Sequence, residues 1–537
     1  MPKSTTKTTK TTLLRPSIKT RGFEGQEIRE VKKPFYITTT LPYVNAEPHI
    51  GFAMELIRAD IIARNKALQG HEVFLNTGTD EHGTKIYRKA KEQHMETQAY
   101  VDDLVLKFKE LIPLLGIRTD TNFIRTTDPH HIAAAQEFWK NVDKNGLIYK
   151  KNYKIKYCVG CELEKTESEL VEGKCSLHPL QELELIEEEN YFFRFSLFQK
   201  QLMDLYEKVP DFVVPNSRLN EIRAFVERGL EDFSVSRLAT KMPWGIPVPG
   251  DDKHVMYVWF DALVNYVSAI GWPEKEVPSS TSPSSRASKG KESEVLNFQK
   301  WWVESGGVIQ YCGKDNLRQQ AAMWQAMLMA AKLPPSRKII IDGFITGEGG
   351  IKMSKSLGNT VSPVGIVKDY GTDALRYYVT RELAPFEDSA FTPEKFKEAY
   401  NAHLANGLGN LVSRVMKMAE TNDIKFDNKV LEKFVDSEEF KSIDARYNEG
   451  FESYDLQKVG NVVWELISST DKIVQEREPF KKIKTNKTEA ESDIRELIVR
   501  VYMIGSLLAP VLPETGAKII TLIEGNKMPE APLFARK

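Results

Sequence analysis

The alternation of apolar and polar positions changes character along the chain. The run Phe35-Tyr-Ile-Thr-Thr-Thr40 is short, aromatic and β-branched, which predicts a buried strand. Apolar side chains then recur at helical spacing from Met54 to about Leu68, Gly70 stands ready to end that helix, and Glu72–Thr77 predicts a second strand. Strand, helix and strand in this order form a βαβ unit of a parallel sheet, and such sheets bind ligands at the carboxyl ends of their strands. Both "LPYVNAEPHIG" and "TGTDEHG" fall at such ends, so they are expected to face one pocket.

From about residue 136 to 245 a cysteine cluster and the acidic stretch Glu182–Glu189 interrupt the alternation. Strand-like segments return as "HVMYVWFDALVNY", "GVIQYCGKDN" and "RKIIIDGFITGEGG". Among them, "VPSSTSPSSRASKGKESE" is Ser-rich and low in complexity, which predicts an exposed loop without catalytic duty. After about residue 390 strand signals vanish and amphipathic helical patterns run almost to the end. The pattern is that of a split α/β domain with an insertion, closed by a helical bundle.

A length of 537 residues suits two to four domains. The chain is 41% hydrophobic without a run of about 18 apolar residues, so no membrane span is expected and a cytoplasmic location is. The net charge of −1 excludes a globally basic nucleic-acid binder and leaves local patches for any such contact. The first 22 residues carry Lys3, Lys7, Lys10, Arg15, Lys19 and Arg21, many threonines and no acid beside them. They read as a disordered, solvated tail that could help to hold RNA, in preference to a transit peptide.

Three of the four cysteines cluster in Cys158-x2-Cys161-x13-Cys175-x2-His178. Two close pairs of ligands joined by a short loop suit one tetrahedral Zn²⁺ with every position filled, hence a structural ion, against the plainer alternative of buried thiols. Cys312 reads as a buried strand residue. The triplet His49-x-Gly51 sits on a strand-to-helix turn, where the N–H groups of a helix start attract phosphate. In "GGIKMSKSLGN", Lys352 and Lys355 flank small polar residues in a glycine-bounded loop. Two ammonium groups there suit a reaction in which negative charge builds on a polyphosphate, whereas an isolated K-x-x-K would read as a solvated loop.

"PHIG" and, some 300 residues later, "KMSKS" resemble the two signatures of class I aminoacyl-tRNA synthetases. "LPYVN", "GTDEHG", "YVWFDAL", "GKDN" and "KMSKSLGN" narrow the resemblance to the methionyl-tRNA synthetase family, from residue 35 onward. The resemblance implies a Rossmann-type parallel-sheet catalytic domain in two halves, 34–135 and 246–350, split by a zinc-containing connective insertion, 136–245. A KMSKS loop and stem-contact region (351–395) and an all-α anticodon-binding domain (396–537) would follow, after a basic tail of residues 1–33. It further implies that ATP, carrying Mg²⁺, and L-methionine form methionyl-adenylate, and that the methionyl group passes to the terminal adenosine of tRNA(Met).

By the same resemblance, His49, Gly51, Lys352 and Lys355 are catalytic and bind ATP with Lys314 and Asp315. Gly51 would leave room for the adenine against bare backbone. Asp80 and the backbone of Leu41 would hold the α-ammonium of methionine, with Tyr43, Trp259, Ala262 and Tyr266 around its side chain and Arg237 at another active-site position. Asn406, Asn410 and Arg414, at i, i+4 and i+8, would share one helix face toward the anticodon, with Phe480 stacking on its first base. There are departures: Phe52 stands where the signature ends in histidine, Gln320 where a histidine is common, and Phe480 where tryptophan is typical, while Trp324 keeps an aromatic match.

The insertion, about 110 residues long, leaves little room for the large editing domain of the leucine, isoleucine and valine enzymes, which favours methionine. The chain closes at "LFARK" soon after the bundle, without a recognisable dimerisation domain, and a monomer is expected. The alternatives are another class I synthetase and a catalytically silent tRNA-binding protein.

Overall fold

A computed structural model describes residues 32–161, 163–165, 170–176, 178–273, 297–350, 353 and 361–537. The basic tail through residue 31, the Ser-rich segment, Lys352 and Lys355 lie outside the described residues. The centre is a six-stranded sheet, parallel throughout: β1 (Phe35–Thr39), β2 (Val73–Thr79), β3 (Asn122–Arg125), β4 (Val213–Val214), β5 (Ile309–Gly313) and β6 (Lys338–Asp342). Their spatial order is β3-β2-β1-β5-β6-β4, with Ile37 in register with Leu75 on one side and Ile309 on the other. The connections leave β1 and β5 in opposite senses, and a crevice opens between their carboxyl ends.

Helix α1 (Ile50–Leu68) follows β1 and differs from the amphipathic expectation. It is buried nearly all round, Glu55, Arg58 and Asp60 included, because the sheet covers one side and the C-terminal helices the other. Its internal charges are therefore paired: Arg58 lies 3.1 Å from Asp342, and Asp60 lies 2.8 Å from the buried Arg376. Arg376 also donates to the carbonyls of Leu115, Pro510 and Val511, which ties α1 to the end of the helical region.

The insertion carries its own antiparallel sheet, in which Ile148–Cys158 pairs with Glu184–Phe193. The acidic stretch thereby finds its partners, with Lys154 opposite Glu187 at 3.0 Å. The expected strand over "HVMYVWFDALVNY" is a strand only from Asp251 to Met256. Short helices over Val258–Ala262 and Asn265–Ser268 follow, held by the Asn265 amide on the Ala262 carbonyl at 2.7 Å. Past Ala390 the described residues form helices, among them α2 (Asn410–Thr421), α3 (Leu456–Arg477) and α4 (Lys487–Leu508). Asp455 and Asn486 cap α3 and α4 by accepting from the backbone N–H groups of Lys458 and Glu489.

Candidate active site

At the carboxyl ends of β1 and β5 lies a cavity of about 680 Å³. Leu41, Tyr43, His49, Gly51, Asp80, Trp259, Ala262, Tyr266, Asp315 and Gln320 all line it, so segments up to about 280 residues apart converge as expected. The two strand-end loops are stitched together by backbone: Asp80 N–H donates to the Pro42 carbonyl and Val44 N–H to that of Asp80, both at 3.0 Å. Met353, the described residue of the lysine motif, lines the same cavity. Just past that motif, the Val361 carbonyl accepts from the N–H of Ile50 at 3.2 Å, so the distant signatures meet at the start of α1.

His49 is the N-cap of α1, its Nδ1 accepting from Gly51 N–H at 3.1 Å. A neutral imidazole that accepts at Nδ1 carries its proton on Nε2. The geometry also gives Gly51 a second reason for its size: a Cβ there would stand 2.9 Å from Cε1 of His49 and displace the cap. Lys314 turns toward Asp388, its ammonium 2.7 Å from both carboxylate oxygens, while the adjacent Asp315 faces the cavity.

Phe52 packs edge-on against Phe108, so the departure from histidine adds to the core. Arg237 is buried, its guanidinium 4.3 Å above the Tyr257 ring and 5.3 Å from the Tyr157 ring.

The class I tRNA synthetase (M) family profile matches residues 35–184 and 166–416. The methionine–tRNA ligase of Nostoc is 39% identical over 505 residues, 92% of this chain and 90% of that protein. This chain belongs to the methionyl-tRNA synthetase family. The ligase of Thermosynechococcus vestitus is 40% identical over 493 residues, covering 90% of this chain and 89% of its own. The Mycobacterium tuberculosis methionyl-tRNA synthetase in complex with methionyl-adenylate superposes with a TM-score of 0.80 at 33% identity, over 91% of this chain and 94% of that one. Members of the family are aminoacyl-tRNA ligases, and joining methionine to tRNA is the activity that membership carries.

In this member of the methionyl-tRNA synthetases, the ligand atoms of Cys158, Cys161, Cys175 and His178 lie within 4.8 Å of one another. Cys161 Sγ stands 3.4 Å from Cys175 Sγ and 3.2 Å from Nδ1 of His178. Three sulfurs and a nitrogen so spaced suit a tetrahedral ion, whose S···S edge would be about 3.8 Å. Gly160 is required by the ring, since a Cβ would approach His178 Cγ to 2.6 Å. Cys161 and His178 also line the cavity, so the cluster forms part of its wall.

Several residues that position the site escaped the sequence reading. Asp261, fully buried between Trp259 and Ala262, accepts from His82 Nδ1 at 2.7 Å and from His131 Nε2 at 3.0 Å. Although burial opposes its charge, the histidines hold its carboxyl below the usual carboxylate range. Asp261 thus joins the loop bearing Asp80 to the helix bearing Trp259. Glu55 accepts from both N–H and Oγ1 of Thr40 at 2.6 Å, and burial pushes it from the ordinary 4.5 up to about 8. The available signal was an acid inside an otherwise apolar run, which folding must either pair or neutralise.

In the helical region Tyr400–Gly409 is π-helical and α2 starts at Asn410, so Asn406, Asn410 and Arg414 do not lie on one regular α-helix as expected. Asn406 and Asn410 are exposed, and Arg414 is held by Asp471 at 2.7 Å. Phe480 is 44% exposed, directly past the left-handed Glu478 that ends α3. No described helix is long and apolar enough to cross a membrane.

Proposed function

We propose that this chain activates L-methionine with ATP and loads it onto tRNA(Met), with its residues divided as follows. The Asp80 carboxylate and the Leu41 carbonyl hold the α-ammonium, and Tyr43, Trp259, Ala262, Tyr266 and Gln320 enclose the thioether, a polarisable group suited to aromatic walls. At the other end, the α1 N-terminus, His49 and the space beside Gly51 receive the nucleotide, with Asp315 and Lys314 toward the ribose. The methionine carboxylate attacks the α-phosphorus and pyrophosphate leaves; Lys352 and Lys355, with the Mg²⁺ that ATP carries, neutralise the growing charge. The terminal adenosine hydroxyl of the tRNA then attacks the acyl carbon of the adenylate, and AMP leaves.

Asn406, Asn410, Arg414 and Phe480 read the anticodon by hydrogen bonds and stacking. Cys158, Cys161, Cys175 and His178 hold a structural Zn²⁺ that fixes the insertion against the cavity. A monomer in the cytoplasm completes the reading.

The observation that supports this most is the Ile50–Val361 hydrogen bond, which brings the chain beside the lysine motif to the helix that His49 caps. Amino-acid-dependent pyrophosphate exchange tests it. Exchange with methionine is expected, and exchange with a different amino acid instead overturns the specificity. A protein that binds tRNA without any exchange would be the silent alternative.

A further inference from the structure

Behind the amino-acid end of the cavity runs a line of buried amides that the roles above leave unused. It begins at Gln325, whose orientation two backbone groups decide: Oε1 accepts from the Ser336 N–H at 3.0 Å, and Nε2 donates to the Gln320 carbonyl at 2.8 Å. The same Nε2 donates to Ser336 Oγ at 3.1 Å. The Ser336 hydroxyl, having accepted there, sends its own proton to Gln310 Oε1, 2.7 Å away. Nε2 of Gln310 then donates to Gln320 Oε1 at 2.5 Å, and Nε2 of Gln320 donates to the Tyr266 hydroxyl at 2.7 Å.

Each link has one polarity. Flipping a single amide would set donor against donor or acceptor against acceptor at a position closed to water, since all five side chains are buried. A tyrosine oxygen that receives an amide N–H cannot return its proton along the same line. Burial holds the Tyr266 hydroxyl well above the usual tyrosine range, so that proton stays on the oxygen, and the Gln310 amide bears on the same atom. Tyr266 and Gln320 both line the cavity.

We infer that the chain Gln325–Ser336–Gln310–Gln320 is a specificity device, which turns the Tyr266 O–H into the cavity and so favours a side chain bearing a lone-pair acceptor over an isosteric hydrocarbon. It rests on the proposed placement of the methionine side chain against Tyr266. A thioether sulfur is a weak acceptor, and a methylene is none. Shape alone discriminates poorly between groups of that size, so a fixed proton adds what an apolar pocket lacks. The amide at 320 does this without a titrating group.

Norleucine, with a methylene for the sulfur, is the probe, read as the ratio of kcat/KM for methionine to that for norleucine in pyrophosphate exchange. Gln320→Glu keeps the shape but accepts where the amide donated, so the Tyr266 proton turns away from the cavity. The expected result is a ratio lowered about tenfold through the KM of methionine, with norleucine changed less than about twofold. Tyr266→Phe, which removes the proton outright, gives the same fall and carries the test should Gln320→Glu not fold. Ser336→Ala touches no substrate and lowers the ratio by a smaller factor. An unchanged ratio in the first two variants, or equal losses for both amino acids, overturns the inference. Failure of the unaltered protein to exchange methionine would instead sink the functional reading beneath it.

Discussion

In the amino-acid end of the cavity, Asp261 accepts from two buried histidines and Tyr266 from a buried glutamine. On the helical face, Asn406, Asn410 and much of Phe480 stand in solvent, and Arg414 shares a half-exposed ion pair with Asp471. Water competes for every hydrogen bond on that face, and an exposed pair contributes little to folding. Inside the cavity a missing partner leaves a buried group unsatisfied, which costs far more. Substitutions in the cavity should therefore disturb activation and stability, whereas those on the face should disturb only the encounter with tRNA.

The sharpest separation is expected from Lys355→Ala. Loss of charge neutralisation lowers pyrophosphate exchange about 100- to 1000-fold with methionine affinity nearly kept; equal losses in both would contradict a role in the transition state. Asp261→Ala comes next, leaving two histidine N–H groups without an acceptor, and should lower stability by about 3 kcal/mol in denaturant unfolding while raising the KM for methionine more than that for ATP. Arg414→Ala should raise the KM for tRNA in charging about tenfold or more and leave exchange untouched, so any loss of exchange would erase the contrast between the regions.

Phe480→Ala should weaken tRNA recognition by about 1–2 kcal/mol through lost stacking, again without effect on exchange. The smallest effect concerns Glu55. The folded protein keeps it protonated to about pH 8, whereas an unfolded chain ionises it near 4.5, so stability contributed by this group falls as pH rises between those values. Glu55→Gln should flatten the pH dependence of melting across that window, and an unaltered slope would contradict the assignment.

The parallel sheet was legible because β1 is a short aromatic and β-branched run and α1 recurs at helical spacing. The four-ligand cluster was legible because ligand chemistry demands close spacing along the chain. Pocket residues such as Trp259 and Ala262 became visible through the family resemblance, since aromatic and small residues in a helix look the same whether they face a ligand or a core. Asp261 and Gln310 were invisible for another reason: their partners lie 179 and 10 positions away, and a polar residue shows no sign of which distant group will satisfy it. The strand expected through Tyr257 failed because local hydrogen bonding by Asn265 outweighed β-branched composition.

The clasp of Arg376 on Asp60 bears on whether the two halves of the molecule could ever be separated. Expressed up to residue 395, the parallel-sheet unit would keep both charges yet forfeit the carbonyls of Pro510 and Val511 that complete the guanidinium's coordination, while the outer flank of α1 would lie bare. Such a fragment should aggregate instead of catalysing the first half-reaction alone. The helical region is thus as much a foundation for the histidine-capped helix as a reader of nucleic acid.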